Sequence, residues 1–405
     1  MKLTLEQMAS LESEILKRVR ARPGFSRVAL ARQLQIAPST VGNYVGRLLA
    51  EGFLSESPAV PQNGEVEAGR PATALRLNPD GGHFVGVDFE ARNIMAMSVD
   101  FSDTPIKHVH EQIAETDTVP QILKKIESAI TAVLPDNQSK LLAIGIGVPG
   151  LVDPAEGVAL DYKYIQNWRN VQLTAPVAEK FGVPVYLENT IRSMALAEMW
   201  FGQGRGERDF ICVGIRSGIG AGIVAGGQLQ RGSAHRAGEI GRWRFPRPKS
   251  TTSRLFLDNG ASAPADVELQ DVASVRAILG ALERGRETKM KSVLPPEPAP
   301  LKFADVVRAA QQRDALTTQV LGVAAETLAR AVSQLVLTLN PSKVIFAGPL
   351  TLLGDTLLHP LRKRAEELLR ASGADLPVIV NSTMGEYSGA LGAAALGVHE
   401  WKPAR

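Results

Sequence analysis

Residues 183–197 read Val-Pro-Val-Tyr-Leu-Glu-Asn-Thr-Ile-Arg-Ser-Met-Ala-Leu-Ala, and the rest of the chain is interpreted from this stretch. Val183 to Leu187 is apolar apart from the break at Pro184, the pattern of a short buried strand. The chain then turns polar at Glu188-Asn189-Thr190 and enters a segment rich in Ala, Met and Leu, which predicts a helix. Polar side chains at the carboxyl end of a strand, facing a helix start, are where α/β folds place ligand chemistry. Asn189 and Thr190 are also good helix caps, so the triplet alone leaves ligand binding and capping both open.

A chain of 405 residues is too long for one ordinary core, and two or three compact units are expected. Its 44% hydrophobic and 21% charged residues are those of a soluble globular protein, while a net charge of +3 excludes nothing by itself. The single cysteine, Cys212, excludes an intramolecular disulfide framework and a multi-cysteine metal site within one chain. There is no apolar run of ~18 residues. The N-terminal MKLTLEQMAS is amphipathic rather than a signal peptide. A cytoplasmic chain without a membrane segment is therefore expected.

The first eighty residues carry their own pattern. Thr4 to Arg22 places Leu5, Met8, Leu11, Ile15, Leu16 and Val19 at helical spacing and stops at Pro23-Gly24. Ser26 caps a second, short helix, and Pro38 suits the first turn of a third that runs through Tyr44, Val45 and Leu48 to Gly52. Short helix, tight turn and second helix predict a helix-turn-helix. Between Ile15 and Ala50 lie Lys17, Arg18, Arg20, Arg22, Arg27, Arg32 and Arg47 with no acidic residue, a segment that attracts phosphates. Ser39, Thr40, Asn43, Tyr44 and Arg47 are the side chains expected to reach base edges or phosphates of an operator. Phe53-Leu54-Ser55 and Thr73 to Leu77 read as two strands around a polar loop, a wing. Its Gly69-Arg70-Pro71 would hold Arg70 extended toward a minor groove. A protein-binding scaffold with a solvated basic face would show the same features.

Asn78-Pro79-Asp80-Gly81-Gly82 reads as a linker. Beyond it, Phe84 to Asp88 and Ile94 to Val99 predict a hairpin, Val119 to Val133 an amphipathic helix and Leu141 to Val148 another strand. Gly145-Ile-Gly147-Val-Pro149-Gly150 fits the dinucleotide fingerprint literally, but Pro149 and a turn follow where that motif needs a helix N-terminus. The glycine-rich Gly202 to Arg208 marks a boundary, and a second set of strands and helices follows, ending with a strand at Val344 to Gly348 and two closing helices. Residues 244–265 and 285–300 read as loops. The expected fold class is α/β, a winged helix-turn-helix over 1–80 followed by a two-lobed actin-like (ribonuclease H-like ATPase) fold. Its lobes span 81–202 and 203–405, and the C-terminal helix is free to return to the first.

In order along the chain, Gly145 to Asp153, Glu188-Asn189, Ser217-Gly218-Ile219-Gly220-Ala221-Gly222, Ala237-Gly238-Glu239-Ile240-Gly241 and Asn340-Pro341 resemble the ROK family. That family holds sugar-responsive transcriptional repressors and sugar kinases, and the resemblance covers essentially the whole chain. The N-terminal helix-turn-helix is similar to the repressor branch, since the kinases lack it.

Departures from the kinase pattern carry the functional expectation. In the family's kinases the residue after Glu-Asn is the aspartate that deprotonates the sugar hydroxyl; here it is Thr190. A threonine hydroxyl takes no proton near neutral pH, so general-base catalysis, typically about 10²–10⁴-fold, is lost. The first phosphate loop reads Asp88-Phe89-Glu90-Ala91-Arg92 instead of aspartate, glycine pair and threonine, and Arg216 replaces a glycine in the second. The family's structural zinc uses a histidine and three cysteines; here Arg242 stands for the histidine and no cysteine follows Trp243. No catalytic residue, cofactor or metal is therefore expected.

What the resemblance implies for binding is sugar contact by Asn189 and Glu239, with Glu188 beside them and Gln270 where the family has a sugar-binding glutamate. Glu239 also suits a structural carboxylate in its glycine-rich turn. Arg242 fits either an acidic or phosphorylated effector or a pairing with Glu239 that closes the pocket. His235 reads as a loop residue. The expected partners are double-stranded operator DNA, a sugar or sugar phosphate effector, and a second copy in a homodimer or dimer of dimers. An ATP-dependent sugar kinase with an appended DNA-binding domain, and a DNA-binding scaffold regulated by a partner protein, are the alternatives.

Overall fold

Helix α1 (Leu5–Ala21) ends before Pro23, which lacks a backbone donor, and Gly24, which turns the chain at φ 99°. Ser26 then caps α2 (Arg27–Leu34), its hydroxyl accepting from the Ala29 amide at 3.1 Å. A left-handed Gln35 closes α2, and Pro38 opens α3 (Pro38–Ala50). Strands β1 (Leu54–Pro58) and β2 (Thr73–Leu77) pair antiparallel, and Phe25 bridges to Leu75. Ile15, Val19, Leu30, Val41, Val45, Leu48 and Leu75 are fully buried and form the core of this module. The computed structural model describes residues 5–58, 73–90, 92–136, 140–162, 164–247, 250–256, 265–287 and 292–403, with side chains from Leu11. Arg70 lies outside the described residues.

Five strands form the first large sheet. They are β3 (His83–Glu90), β4 (Asn93–Asp100), β5 (Pro105–Gln112), β6 (Leu141–Val148) and, after three short strands, β10. The short strands β7 (Leu151–Asp153), β8 (Val158–Asp161) and β9 (Arg169–Gln172) make a small sheet of their own. Helix α4 (Val119–Val133) precedes β6, α5 (Thr174–Phe181) precedes β10 (Val185–Asn189), and α6 (Thr190–Phe201) follows it. The order is β10-β6-β3-β4-β5, with β6 parallel to both neighbours and the β3-β4-β5 pairs antiparallel.

The second sheet is built from β11 (Phe210–Ile215), β12 (Ile219–Ala225) and β13 (Gln228–Gln230). A separate hairpin, β14 (Arg244–Pro246) with β15 (Asp266–Glu268), falls inside 244–265 and its flank, where the sequence suggested loop. Helices α7 (Gln270–Ala273), α8 (Val275–Arg286), α9 (Phe303–Gln311) and α10 (Ala315–Leu339) follow, then β16 (Lys343–Ala347), α11 (Asp355–Ala371), β17 (Val378–Asn381) and α12 (Ser388–Glu400). The order β13-β12-β11-β16-β17 repeats that of the first sheet, β5-β4-β3-β6-β10, with the same parallel and antiparallel pairs. The duplication is one of topology, which is why no repeat shows in the residues.

Two compact units result, Met1–Ser193 with Gly389–Arg405, and Met194–Ser388. The division falls inside α6, ahead of the glycine-rich segment at 202–208. The N-terminal eighty residues belong to the same unit as the first sheet because they are bonded to it. Arg20 donates to both oxygens of Asp103 at 2.9 and 3.0 Å and to the Phe101 carbonyl at 2.9 Å. Phe53 packs on Phe101 and Trp401 with ring centroids 5.0 and 5.2 Å apart. In the second unit, α10 holds an 18-residue window long and apolar enough to cross a membrane, 72% of it buried inside the protein. The sequence showed no such run because Thr, Gln, Glu and Arg interrupt it; here it is a core helix.

Helix α12 returns to the first unit and lies on the sheet at two glycines. A Cβ on Gly86 would come within 2.0 Å of the Ala390 carbonyl oxygen, and one on Gly145 within 1.8 Å of that of Ala393. Gly145→Ala is expected to cost about 1–3 kcal/mol by overpacking; an unchanged melting temperature would contradict this docking. A second expectation concerns His83, buried at the start of β3, where desolvation lowers its pKa to about 4. The unfolded imidazole charges below about pH 6.5 while the native one stays neutral, so stability present above that pH is lost as pH falls toward 4. Urea unfolding at pH 7 and pH 5 should show the loss, and His83→Gln should flatten it.

Candidate functional site

Alternation along β3 sends Val85 and Val87 into the α4 side of the sheet and Phe84, Gly86 and Asp88 to the α12 side. Asp88 thereby meets the start of α6. Thr190 Oγ1 donates to Asp88 Oδ1 at 2.8 Å, and both side chains are buried. Gly147 of β6 faces the same point, and Gly389 in the first turn of α12 leaves no room for a Cβ beside the Asp88 carboxylate. The site is a buried acid whose nearest neighbour at Thr190 is a hydroxyl donor.

The triplet that opened the sequence reading behaves differently at each position. Asn189 donates from Nδ2 to the Gly150 carbonyl at 2.9 Å and accepts at Oδ1 from the Ile191 amide at 2.9 Å. Capping and loop-holding are thus realised, and an amide has one further N–H for a ligand. Glu188 has no exposed side-chain surface; its Oε1 accepts from the Asn189 amide at 2.8 Å and from Arg192 Nε at 2.7 Å. Glu188 is thereby buried and fixes the strand-to-helix turn. Ser193, one turn beyond Thr190, was not singled out in the sequence: its buried hydroxyl borders Gly147 with no hydrogen-bond partner among the described residues. Its signal was only helical spacing from Thr190.

In the second unit, the glycines of Gly238-Glu239-Ile240-Gly241 let this turn lie on β12. A Cβ on Gly238 would meet the Ala221 carbonyl oxygen at 1.8 Å, one on Gly241 that of Ile219 at 2.4 Å, and Gly238 has φ 88°. The turn presents Glu239 next to Arg242, whose Nε lies 3.7 Å from the Glu239 carboxylate. Arg242 is 66% exposed, so this pair contributes about 0–1 kcal/mol and holds neither group firmly. Gln270 lies beside Gly218 and Gly241 and donates to Glu268 at 2.7 Å. Three separated motifs therefore meet around Gln270. Arg216 is buried in the β11–β12 turn, where its backbone pairs with Gly218 and Val275. Cys212 is buried in β11, and burial pushes its thiol well above the ordinary value.

On α3, Ser39, Asn43 and Arg47 share an exposed face, with Thr40 half-buried beside them. Tyr44 is a correction to the expected DNA face, since it is buried with Val41, Val45 and Leu48 on the inward stripe. Its ring instead carries the Arg47 guanidinium, 5.4 Å from the centroid. The basic segment is also less open than its count suggested. Arg18 pairs with Glu14, Arg20 with Asp103 and Arg27 with Glu56, while burial lowers the pKa of Lys17. Arg22, Arg32 and Arg47 are exposed and form no ion pair among the described residues.

The chain is 27% identical over 359 residues to the xylose repressor of Caldicellulosiruptor bescii, covering 86% of this chain and 85% of that one. It is 26% identical over 375 residues to the DNA-binding transcriptional repressor Mlc of Escherichia coli, covering 92% and 88%. Among solved structures, a ROK family transcriptional regulator homologous to the Escherichia coli protein superposes with TM-score 0.77 at 21% identity, over 97% of each chain. A ROK family glucokinase from Streptomyces griseus, solved with glucose and AMPPNP, superposes with TM-score 0.65 at 25% identity, over 78% of this chain and 99% of its own. The ROK family model matches residues 84–400, so this chain belongs to the ROK family.

Proposed function

We propose that the protein is a DNA-binding transcriptional regulator, acting as a repressor, that senses a sugar or sugar derivative without phosphorylating it. Thr190 is the observation that carries this reading: where a kinase needs a proton acceptor, this chain has a buried hydroxyl already donating to Asp88. Relatives matching most of the chain are named repressors, whereas the glucokinase has a counterpart for 78% of it. Residues 1–80 act as a winged helix-turn-helix, the following lobes as 81–202 and 203–405. Ser39, Thr40, Asn43 and Arg47 read the major groove, Tyr44 supports Arg47, and Arg70 enters the flanking minor groove. Asn189, Glu239, Arg242 and Gln270 are the effector contacts, with Glu188 positioning Asn189. The regulator works as a symmetric dimer in the cytoplasm, and an effector that prefers one conformation changes its affinity for operator DNA.

Mobility shift on DNA from upstream of its own gene tests the reading directly; no binding at ~50 mM salt, where phosphate contacts are strongest, would count against it. Arg47→Ala should cost about 1–3 kcal/mol of binding, whereas Tyr44→Phe, a core change, should retain it. Thermal shift against sugars and sugar phosphates should find one that adds about 2.7 kcal/mol at ~100 times its dissociation constant. A panel without any response would favour regulation by a partner protein. Thr190→Asp would set a second carboxylate against Asp88. It should melt lower and still transfer no phosphate from ATP to hexoses, and turnover in either form would return the kinase reading.

A further inference from the structure

The second unit contains an open cavity of about 660 Å³ that belongs to none of the motifs above. Its size is that of small-molecule pockets. One wall is a stripe of α10, with Gln319 and Gly322 exposed and Glu326 and Arg330 half-buried, and the other is made by Arg247, Ser250 and Thr252.

Charge on these walls is unbalanced in favour of cations. Glu326 is the carboxylate on the α10 wall, and both its oxygens are taken: Oε1 accepts from Arg330 at 2.9 Å and Oε2 from Arg364 at 2.8 Å. Arg330 uses two of its five N–H groups there, leaving the rest of its fork for a ligand. Arg247 is half-buried, its backbone held by the Ala265 carbonyl at 3.0 Å, and its guanidinium forms no ion pair among the described residues. On the same cavity lining, Thr252 donates to Gln319 Oε1 at 3.0 Å, so Gln319 meets that hydroxyl with its oxygen and keeps its two amide N–H donors.

Gly322 is the independent sign that the space is kept open. It lies inside a 25-residue helix, past its second turn, where glycine is the poorest choice after proline, and a Cβ there would meet nothing within 4 Å. Packing therefore does not require the glycine. A side chain at 322 would project between Gln319 and Glu326, into the cavity.

We propose that this cavity binds a small, hydroxyl-bearing anion, a sugar phosphate being the simplest member of the class. The Arg247 and Arg330 guanidiniums take the anionic group. Ser250, Thr252 and Gln319 take the hydroxyls. The site is separate from the one containing Glu239.

Isothermal titration of the full chain with glucose 6-phosphate, glucose and inorganic phosphate tests this. Glucose 6-phosphate should bind more tightly than either fragment, and Arg247→Ala should weaken it by about tenfold or more. Gly322→Ala, a fold control, should melt no lower than the native chain, and Gly322→Met should project into the cavity and obstruct binding. The proposal is overturned if binding survives both Arg247→Ala and Gly322→Met, if Glu239→Gln alone removes it, or if no phosphate-bearing probe binds. Inorganic phosphate binding as tightly as glucose 6-phosphate would remove the role of the hydroxyls. Sedimentation showing that Gly322→Met splits a dimer without altering ligand affinity would make the cavity a subunit seam instead.

Discussion

Close packing of α12 against bare backbone at Gly86 and Gly145 is the constraint on which the first unit is built. Two adjacent strands give up their side chains so that a helix can lie within carbonyl contact of both, and Ala390, Ala393 and Ala394 on the helix are equally small and fully buried. The helix spans about 20 Å at 1.5 Å per residue. Its first turn borders the Asp88 carboxylate, and Trp401 just beyond its last turn packs on Phe53 of the N-terminal module and on Phe84 of β3. One element thus touches the buried acid at one end and the N-terminal module at the other. With Arg20 held by Asp103, that module is bonded to the sheet rather than tethered to it.

At Asp88, the change from a carboxylate to Thr190 has a physical consequence beyond lost catalysis. Two carboxylates at hydrogen-bonding distance in a dry site repel, and one must hold a proton or meet a cation. A threonine hydroxyl donates instead, so Asp88 is satisfied by the protein itself. The neighbouring Glu188–Arg192 pair, almost wholly removed from solvent, holds the strand-to-helix turn in one geometry. The arrangement is therefore a settled polar network, suited to binding and no longer poised for proton transfer.

The N-terminal module shows how charge counts mislead. Seven cations in a window without an acidic residue read as one basic face. Folding brings Asp103 and Glu56 to two of them from outside that window, α1 supplies Glu14 to a third, and burial takes Lys17. What remains exposed is a narrower set, with Arg47 steadied on the Tyr44 ring. A narrow set of positioned cations gives orientation on DNA as well as attraction.

The sequence by itself determined much of the local structure. The periodicities of Val119–Val133 and Leu141–Val148 mark elements with those same bounds, and the order of glycine motifs marked the family. Those signals are local, because a face buried by a helix or strand must repeat with that element's own period. Strand β5 escaped notice because it lies at the sheet edge, where seven of its eight residues alternate between exposed and half-buried without an apolar face. Only the tertiary structure decided that Gly145 is a packing contact, that Glu188 and Tyr44 face inward, and that Gln270 joins Gly218 and Gly241. Each of these depends on which distant segment arrives against the residue, and the spacing of neighbours along the chain carries no record of that.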